Sequence, residues 1–263
     1  MSERMTIPST LSAAHTAAPN EYRPVAVMPD VRVVKIGGQS IMDRGREALF
    51  PILDEVIEAR KRGIQVVLLT GGGTRARHIY TIASELDMPT GVVATLGKYI
   101  PMQNARMVQM LLAKHGGIYI MPDDFEKLPL YLQLGCIPVM SGMPPFGYWE
   151  KHQEGSRIPP HRTDAGVFLS CEFLGAKRAI FIKDEDGLYT DDPKKNPQAT
   201  HIPRITAQQL IDRDLPDVVV ERVVVEYLPR SRWCKEVQIV NGLKPGQVLA
   251  ALEGQDVGTL ITA

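Results

Sequence analysis

The chain has 263 residues, 44% hydrophobic and 23% charged, and its thirty basic and thirty acidic side chains cancel. Its length allows a substantial core, as one large domain or two small ones. The balanced charge leaves no footprint for nucleic acid or an anionic membrane, no apolar run reaches the length of a membrane span, and the N-terminus lacks the basic-then-apolar layout of a secretory signal.

Residues 1–29 are rich in Ser, Thr, Ala and Pro without periodicity and are expected to form a flexible N-terminal arm. From Asp30 onward, strand-like runs at 31–36, 64–70, 117–121, 136–140, 177–182, 235–240 and 257–262 alternate with helical patterns. The helical patterns lie near 44–62, 75–87, 100–115, 123–134, 163–174 and 206–213. This alternation predicts an α/β chain with a mostly parallel sheet covered on both faces, as one domain over 30–263. The β-branched stretch 217–229 also has amphipathic spacing and fits strand or helix. Cys136, Cys171 and Cys234 sit far apart among apolar neighbours, without zinc spacing. They read as reduced core thiols, so the expected compartment is the cytoplasm.

Ligands of open α/β sheets sit outside the carboxyl ends of the strands, and four turns there carry chemistry. In the first, a β-branched run reaches Lys35 and is broken by Gly37 and Gly38. Glycines let backbone amides approach a ligand, and the lysine supplies a point charge for a phosphoryl or other oxyanion group. The lysine precedes the glycines, so this is not a Walker loop. In the second, Gly71, Gly72 and Gly73 lead into a helix whose first turn carries Arg75 and Arg77, an oxyanion cradle.

The third turn holds His161, Arg162, Thr163 and Asp164. Thr163 or Asp164 is suited to cap the following helix, and Asp164 also to hold Lys35 or order a metal-bound phosphate. The fourth runs from Lys183 to Pro193 and includes Asp186, Gly187, Tyr189 and Asp192. Its acids suit Mg²⁺ or ribose hydroxyls and Tyr189 a base, with ordinary turn chemistry as the competing reading. The Pro-rich loop 141–162 is long for a connection, and its His152 and His161 are candidate metal ligands or proton donors as well as candidate surface histidines.

Lys-x-Gly-Gly, Gly-Gly-Gly, Thr-Asp-Ala-Gly, Asp-Gly-Leu-Tyr-Thr-x-Asp-Pro and the terminal Val257-Gly258-Thr259 follow one another across 31–262. In this order they resemble the amino-acid kinase superfamily, and within it the UMP kinase branch. That resemblance implies a three-layer αβα sandwich. It also implies that Lys35, Gly37, Gly38, Gly72 and Gly73 surround the transferred phosphoryl group, and that Asp164, Asp186, Tyr189 and Asp192 meet phosphates, nucleotide or magnesium. Further runs, among them 34–45, 74–78, 111–116, 141–145, 155–166 and 183–190, are similar to the family of molybdenum storage subunits. The motif at 183–187 looks β-like and that at 155–162 α-like, with β preferred. The α-type histidine run is replaced here by Tyr148-Trp149-Glu150-Lys151-His152.

The storage likeness implies a hexameric cage of homologous α and β subunits that binds ATP–Mg²⁺ and packs polyoxomolybdate or tungstate clusters. ATP hydrolysis is then linked to molybdate loading rather than to transfer onto an organic acceptor. UMP kinases usually hold the ribose with an acid just before a Gly-Met-Leu-Ala-Thr segment, and the corresponding region here, Val93–Pro101, carries no acid. An unpaired ribose hydroxyl costs about 1 kcal/mol or more, so storage is expected over the alternative, a nucleoside-monophosphate (UMP) kinase. The expected mechanism has Lys35 and the Gly71–Gly73 amides stabilising the γ-phosphate and magnesium placed by Asp164 and the acids of 184–192. Water accepts the phosphoryl group, and His152 or His161 supplies protons for molybdate condensation.

Overall fold

Side chains along a strand alternate between faces, and in β1 (Arg32–Ile36) this alternation sets the layers. Val33 joins one apolar cluster with Val67, Leu69, Phe181 and Ile239, while Val34 and Ile36 join another with Leu68, Ile180, Ile182 and Val240. The strands are therefore buried on both faces, which is why they read as continuous apolar runs. The computed structural model describes residues 25–152, 155, 156, 158–215 and 218–263. Most of the expected arm, residues 1–24, lies outside them. At its end, Met28 donates its amide to Leu174 O at 2.6 Å.

The further strands are β2 (Val66–Thr70), β3 (Gly117–Tyr119), β4 (Ile137–Ser141), β5 (Arg178–Lys183), β6 (Leu188–Tyr189), β7 (His201–Ile202), β8 (Arg204–Thr206), β9 (Glu236–Asn241) and β10 (Thr259–Thr262). The helices are α1 (Arg46–Lys61), α2 (Gly73–Glu85), α3 (Thr90–Leu112), α4 (Leu128–Gln133), α5 (Thr163–Leu174), α6 (Ala207–Arg213), α7 (Arg222–Tyr227) and α8 (Gln247–Leu252). Eight strands form one sheet in the order β3-β4-β2-β1-β5-β9-β10-β8, and β6 and β7 make a separate ribbon. In the large sheet β9 and β10 pair antiparallel, and the other pairings between described strands are parallel. Helices α4 to α7 cover one face and α1, α3 and α8 the other, the expected three-layer αβα sandwich.

β1 lies between β2 and β5, with Lys35 opposite Leu69 on one side and Phe181 on the other. This is a switch point of the sheet, where a crevice opens at the carboxyl ends. Lys35 shares the parity of Val33 and so points to the α5 face.

Three expectations about elements change. The helix expected at 100–115 begins at Thr90, because Gly91, Gly97 and Pro101 inside it mask its pattern. Gly97 is required by contact, since a Cβ there would run into the Tyr80 ring of α2. The pattern at 123–134 splits into a 3₁₀ stretch, Pro122–Lys127, and the short α4. The ambiguous segment 217–229 contains α7, where packing of Val224 and Val225 in the core overrides β propensity. Among the described residues no helix is long and apolar enough to cross a membrane. Cys171 and Cys234 are buried free thiols, and burial pushes the Cys171 thiol up, as an inert core cysteine requires.

Candidate functional site: a phosphate-type cavity and its neighbour

A cavity of about 590 Å³ opens where β1, β2 and β5 end. Lys35, Arg44, Arg77, Arg162, Lys183 and Lys194 line it against Asp164, Asp184 and Glu221, so cations outnumber acids two to one. At its floor Lys35 Nζ donates to Asp164 Oδ1, and both side chains are 6% exposed. Lys183 Nζ stands 4.0 Å from Asp164 Oδ2, which also accepts the Glu221 amide at 2.9 Å. Burial pushes the Asp164 carboxyl up, but Lys183 and Lys35 together outweigh it and hold the pKa at about 2. The pairing of Lys35 with Asp164 agrees with one of the roles expected for that acid.

The cap of α5 differs from expectation. Neither Thr163 nor Asp164 caps it; Glu221 does, from 57 residues away, accepting the amides of Arg162, Asp164 and Ala165 at 3.0–3.1 Å. With the return bond from its own amide to Asp164, this is a capping box assembled across the chain. Burial and then the nearby Asp164 raise the Glu221 pKa. Sequence reasoning missed Glu221, and the available signal was a single acid between two Val-Val-Val runs. The turn that delivers it is strained: Val219 has φ +63° and Val220 donates its amide to Val218 O at 2.7 Å. A β-branched residue rarely adopts that region, and such strain gathers at functional sites. Val219 and Val220 both line the cavity.

The glycine turns of β1 and β2 meet backbone to backbone. A Cβ on Gly38 would lie 2.7 Å from Gly73 Cα, and one on Gly71 would lie 2.6 Å from the Gly38 nitrogen. Only glycine permits this approach. The expectation that Gly37 and all of the Gly71–Gly73 amides face a phosphate is corrected. Gly37 donates to Ile182 O at 3.1 Å and Gly71 to Ile36 O at 3.0 Å, so both amides extend the sheet pattern. Asp43 accepts the Thr74 amide at 2.7 Å and takes up the start of α2. Gly38, Gly71, Gly72 and Gly73 form the wall, and Gly37 lies behind it. Arg75 is also corrected: it turns toward α3 and donates to Asn104 Oδ1, while Asn104 donates to Gly71 O at 2.6 Å. Arg77, further round α2, lines the cavity instead.

Of the fourth turn, Lys183 and Asp184 reach the wall. Asp184 is held by Arg44 at 2.6 Å and Lys194 at 3.2 Å. Asp186, Gly187, Tyr189 and Asp192 stand outside the wall of this cavity. Asp186 accepts from Asn241 at 3.0 Å and Lys244 at 2.6 Å. Gly187, at φ +138°, passes against Thr259, so its glycine serves packing. Tyr189 packs on His201 with centroids 5.3 Å apart, and Asp192 folds its own turn by accepting the Lys194 amide.

Among the described residues no group of three or more His, Cys, Asp or Glu is arranged to hold a metal ion. Mg²⁺ takes one or two carboxylates with phosphate oxygens and water. Asp164 and Asp184 in a cationic, glycine-walled cavity fit magnesium held largely by phosphates.

A neighbouring cavity of about 870 Å³ holds the loop histidines. His161 Nδ1 lies 2.9 Å from Glu150 Oε1 and its Nε2 lies 2.6 Å from the Tyr227 hydroxyl, so both ring nitrogens have hydrogen-bond partners. Its ring stacks on Tyr227 at 5.7 Å. His152 Nδ1 lies 3.2 Å from Thr90 Oγ1. The two histidines line one cavity, and among the described residues no third His, Cys, Asp or Glu joins them in a group able to hold a metal ion.

A mostly parallel sheet covered on both faces, with glycine turns and a buried lysine–carboxylate pair at its switch point, defines an α/β fold of the kinase class. Residues 30–224 match the Amino acid kinase family, and the chain belongs to that family. Over its whole length it is 46% identical to the molybdenum storage protein subunit beta of Azotobacter vinelandii, covering 95% of that protein. The β-like resemblance is thereby borne out. Identity to the uridylate kinase of Methanocaldococcus jannaschii is 26%, over 87% of this chain and 98% of that one. The crystal structure of uridylate kinase from Archaeoglobus fulgidus matches with a TM-score of 0.66 at 26% identity, covering 88% of this chain and all of the other.

Proposed function

We propose that this chain is a molybdenum/tungsten storage subunit that binds ATP–Mg²⁺ and uses ATP hydrolysis to deposit polyoxomolybdate clusters inside an oligomeric cage. The full-length likeness to a storage subunit carries the reading, well above the likeness to the uridylate kinases. The cage would pair this chain with a homologous partner in an α/β hexamer in the cytoplasm, with 30–263 as one domain and 1–29 as its arm.

In this reading the triphosphate enters the cationic cavity, and the nucleoside lies outside the wall over the turn of Gly187, Tyr189 and Asp192. Lys35, fixed by Asp164, holds its charge against the terminal phosphate, and the turns of Gly38 and Gly72 let the backbone come close. Arg77 and Lys183 take further phosphate charge. Asp164 and Asp184 would hold magnesium, which supplies charge neutralisation across the phosphate oxygens when bound. Water is the phosphoryl acceptor. Condensation of molybdate consumes protons, and His161 with Tyr227 forms a hydrogen-bonded pair able to pass them along the second cavity.

Phosphate release from ATP–Mg²⁺, with molybdate or with UMP, tests the choice. Storage predicts release stimulated by molybdate and indifferent to UMP. ADP formation that requires UMP would establish the kinase alternative instead.

A further inference from the structure

The two cavities share a wall made by Arg162 and Glu221, which line both. Arg162 Nε lies 3.7 Å from Glu221 Oε1, beyond hydrogen-bond distance, and this buried atom has no hydrogen-bond partner among the described residues. The Arg162 side chain as a whole is 37% exposed, so an anion can reach the guanidinium, and its buried Nε–H without an acceptor favours one that does. Arg162 faces Glu221 at 3.7 Å, the Glu221 backbone amide donates to Asp164, and Asp164 pairs with Lys35, so these contacts lead from the second cavity to the lysine of the first.

We propose that Arg162 is a shared cation that serves the terminal phosphate of a bound nucleotide in the first cavity and a tetrahedral oxyanion in the second, so that the two anions compete for it. The inference rests on the ATP-and-oxoanion reading above. While a triphosphate is bound, the guanidinium faces it. Once the terminal phosphate has been cleaved and lost, the guanidinium turns to the second cavity, where its planar N–H fork and the Tyr227 hydroxyl meet the oxyanion. Hydrolysis thereby hands a binding group from nucleotide to cargo. Molybdate from solvent and phosphate leaving the first cavity share the required chemistry.

The test measures binding of molybdate, and separately of inorganic phosphate, to the full chain saturated with a non-hydrolysable ATP analogue or with ADP. The expected result is at least about fivefold tighter oxyanion binding in the ADP state, with the same factor recovered when nucleotide binding is titrated against oxyanion. Arg162→Gln should bring the ratio between nucleotide states close to one. Tyr227→Phe, outside the nucleotide cavity, should weaken the oxyanion and preserve the ratio. The tighter of molybdate and phosphate identifies cargo or departing product as the occupant.

Equal oxyanion affinity in both nucleotide states, or an unchanged ratio in Arg162→Gln, overturns the shared-cation role. If nucleotide and molybdate both bind yet do so independently, this inference fails while the storage reading stands. If no nucleotide binds, both fail.

Discussion

The phosphate-type cavity and its neighbour lie on either side of Arg162 and Glu221 but are built differently. The first is walled by turns leaving β1, β2 and β5, whose positions follow from strand register. The second gathers His152 and His161 from a long loop and Tyr227 from α7. Register places the first set rigidly, and long-range side-chain contacts place the second. Rigid placement suits charge stabilisation at a fixed phosphate. Loop placement suits a chamber whose contents vary in size.

If that contrast holds, substitutions in the first cavity have the larger effects. Lys35→Ala should lower ATP hydrolysis by about 10²–10³-fold, read as steady-state phosphate release. It should also destabilise the fold by about 3–5 kcal/mol in urea unfolding, because Asp164 would remain buried without its direct partner. Full turnover in this variant would break the comparison. Gly38→Ala comes next, since its methyl group would enter the backbone of Gly71 and Gly73. A loss of about 1–3 kcal/mol is expected, which at this chain length lowers Tm by about 2–4 °C per kcal/mol, with weaker nucleotide binding.

Acid titration separates the two buried carboxylates. The Asp164 pKa is held below its ordinary 3.8, at about 2, so its stabilising contribution is present above pH 3.8 and lost as pH falls toward 2. Glu221 is raised above 4.5, so its contribution is full below 4.5 and is lost as pH rises through the folded value. Urea unfolding of Asp164→Asn should lack the decline between pH 3.8 and 2, and that of Glu221→Gln the decline above pH 4.5. The smallest effect is expected from His161→Gln, which breaks the link between Glu150 and Tyr227. It should cost about 1 kcal/mol and shift the nucleotide Kd less than Lys35→Ala or Gly38→Ala.

The same contrast decides what could be read from the sequence. Lys35 and the glycine turns were legible because a β-branched run, its parity and two glycines are local features. Strand positions followed from apolar runs, and the layers from their alternation. Devices that act at a distance left no local trace. Glu221 caps α5, Asp43 caps α2, and Glu55 accepts the amides of Gly246 and Leu249 at the start of α8, each from another element. From the sequence Arg75 is the site candidate, because α3, the element that captures it, is disguised by glycine and proline. Gly187 and Asp186 sit in a phosphate-type motif, yet contacts with Thr259 and Lys244, far along the chain, show what holds them. His161 was visible as a candidate, but its partners Glu150 and Tyr227 were not.

The most direct measurement is the molybdenum content of the chain, co-expressed with its partner where one is found, after incubation with molybdate and ATP–Mg²⁺ and removal of free oxoanion by gel filtration. Storage predicts several molybdenum atoms retained per chain, dependent on hydrolysable ATP and lost in Lys35→Ala. Protein that retains no molybdenum or tungsten while converting UMP and ATP to UDP and ADP would contradict it.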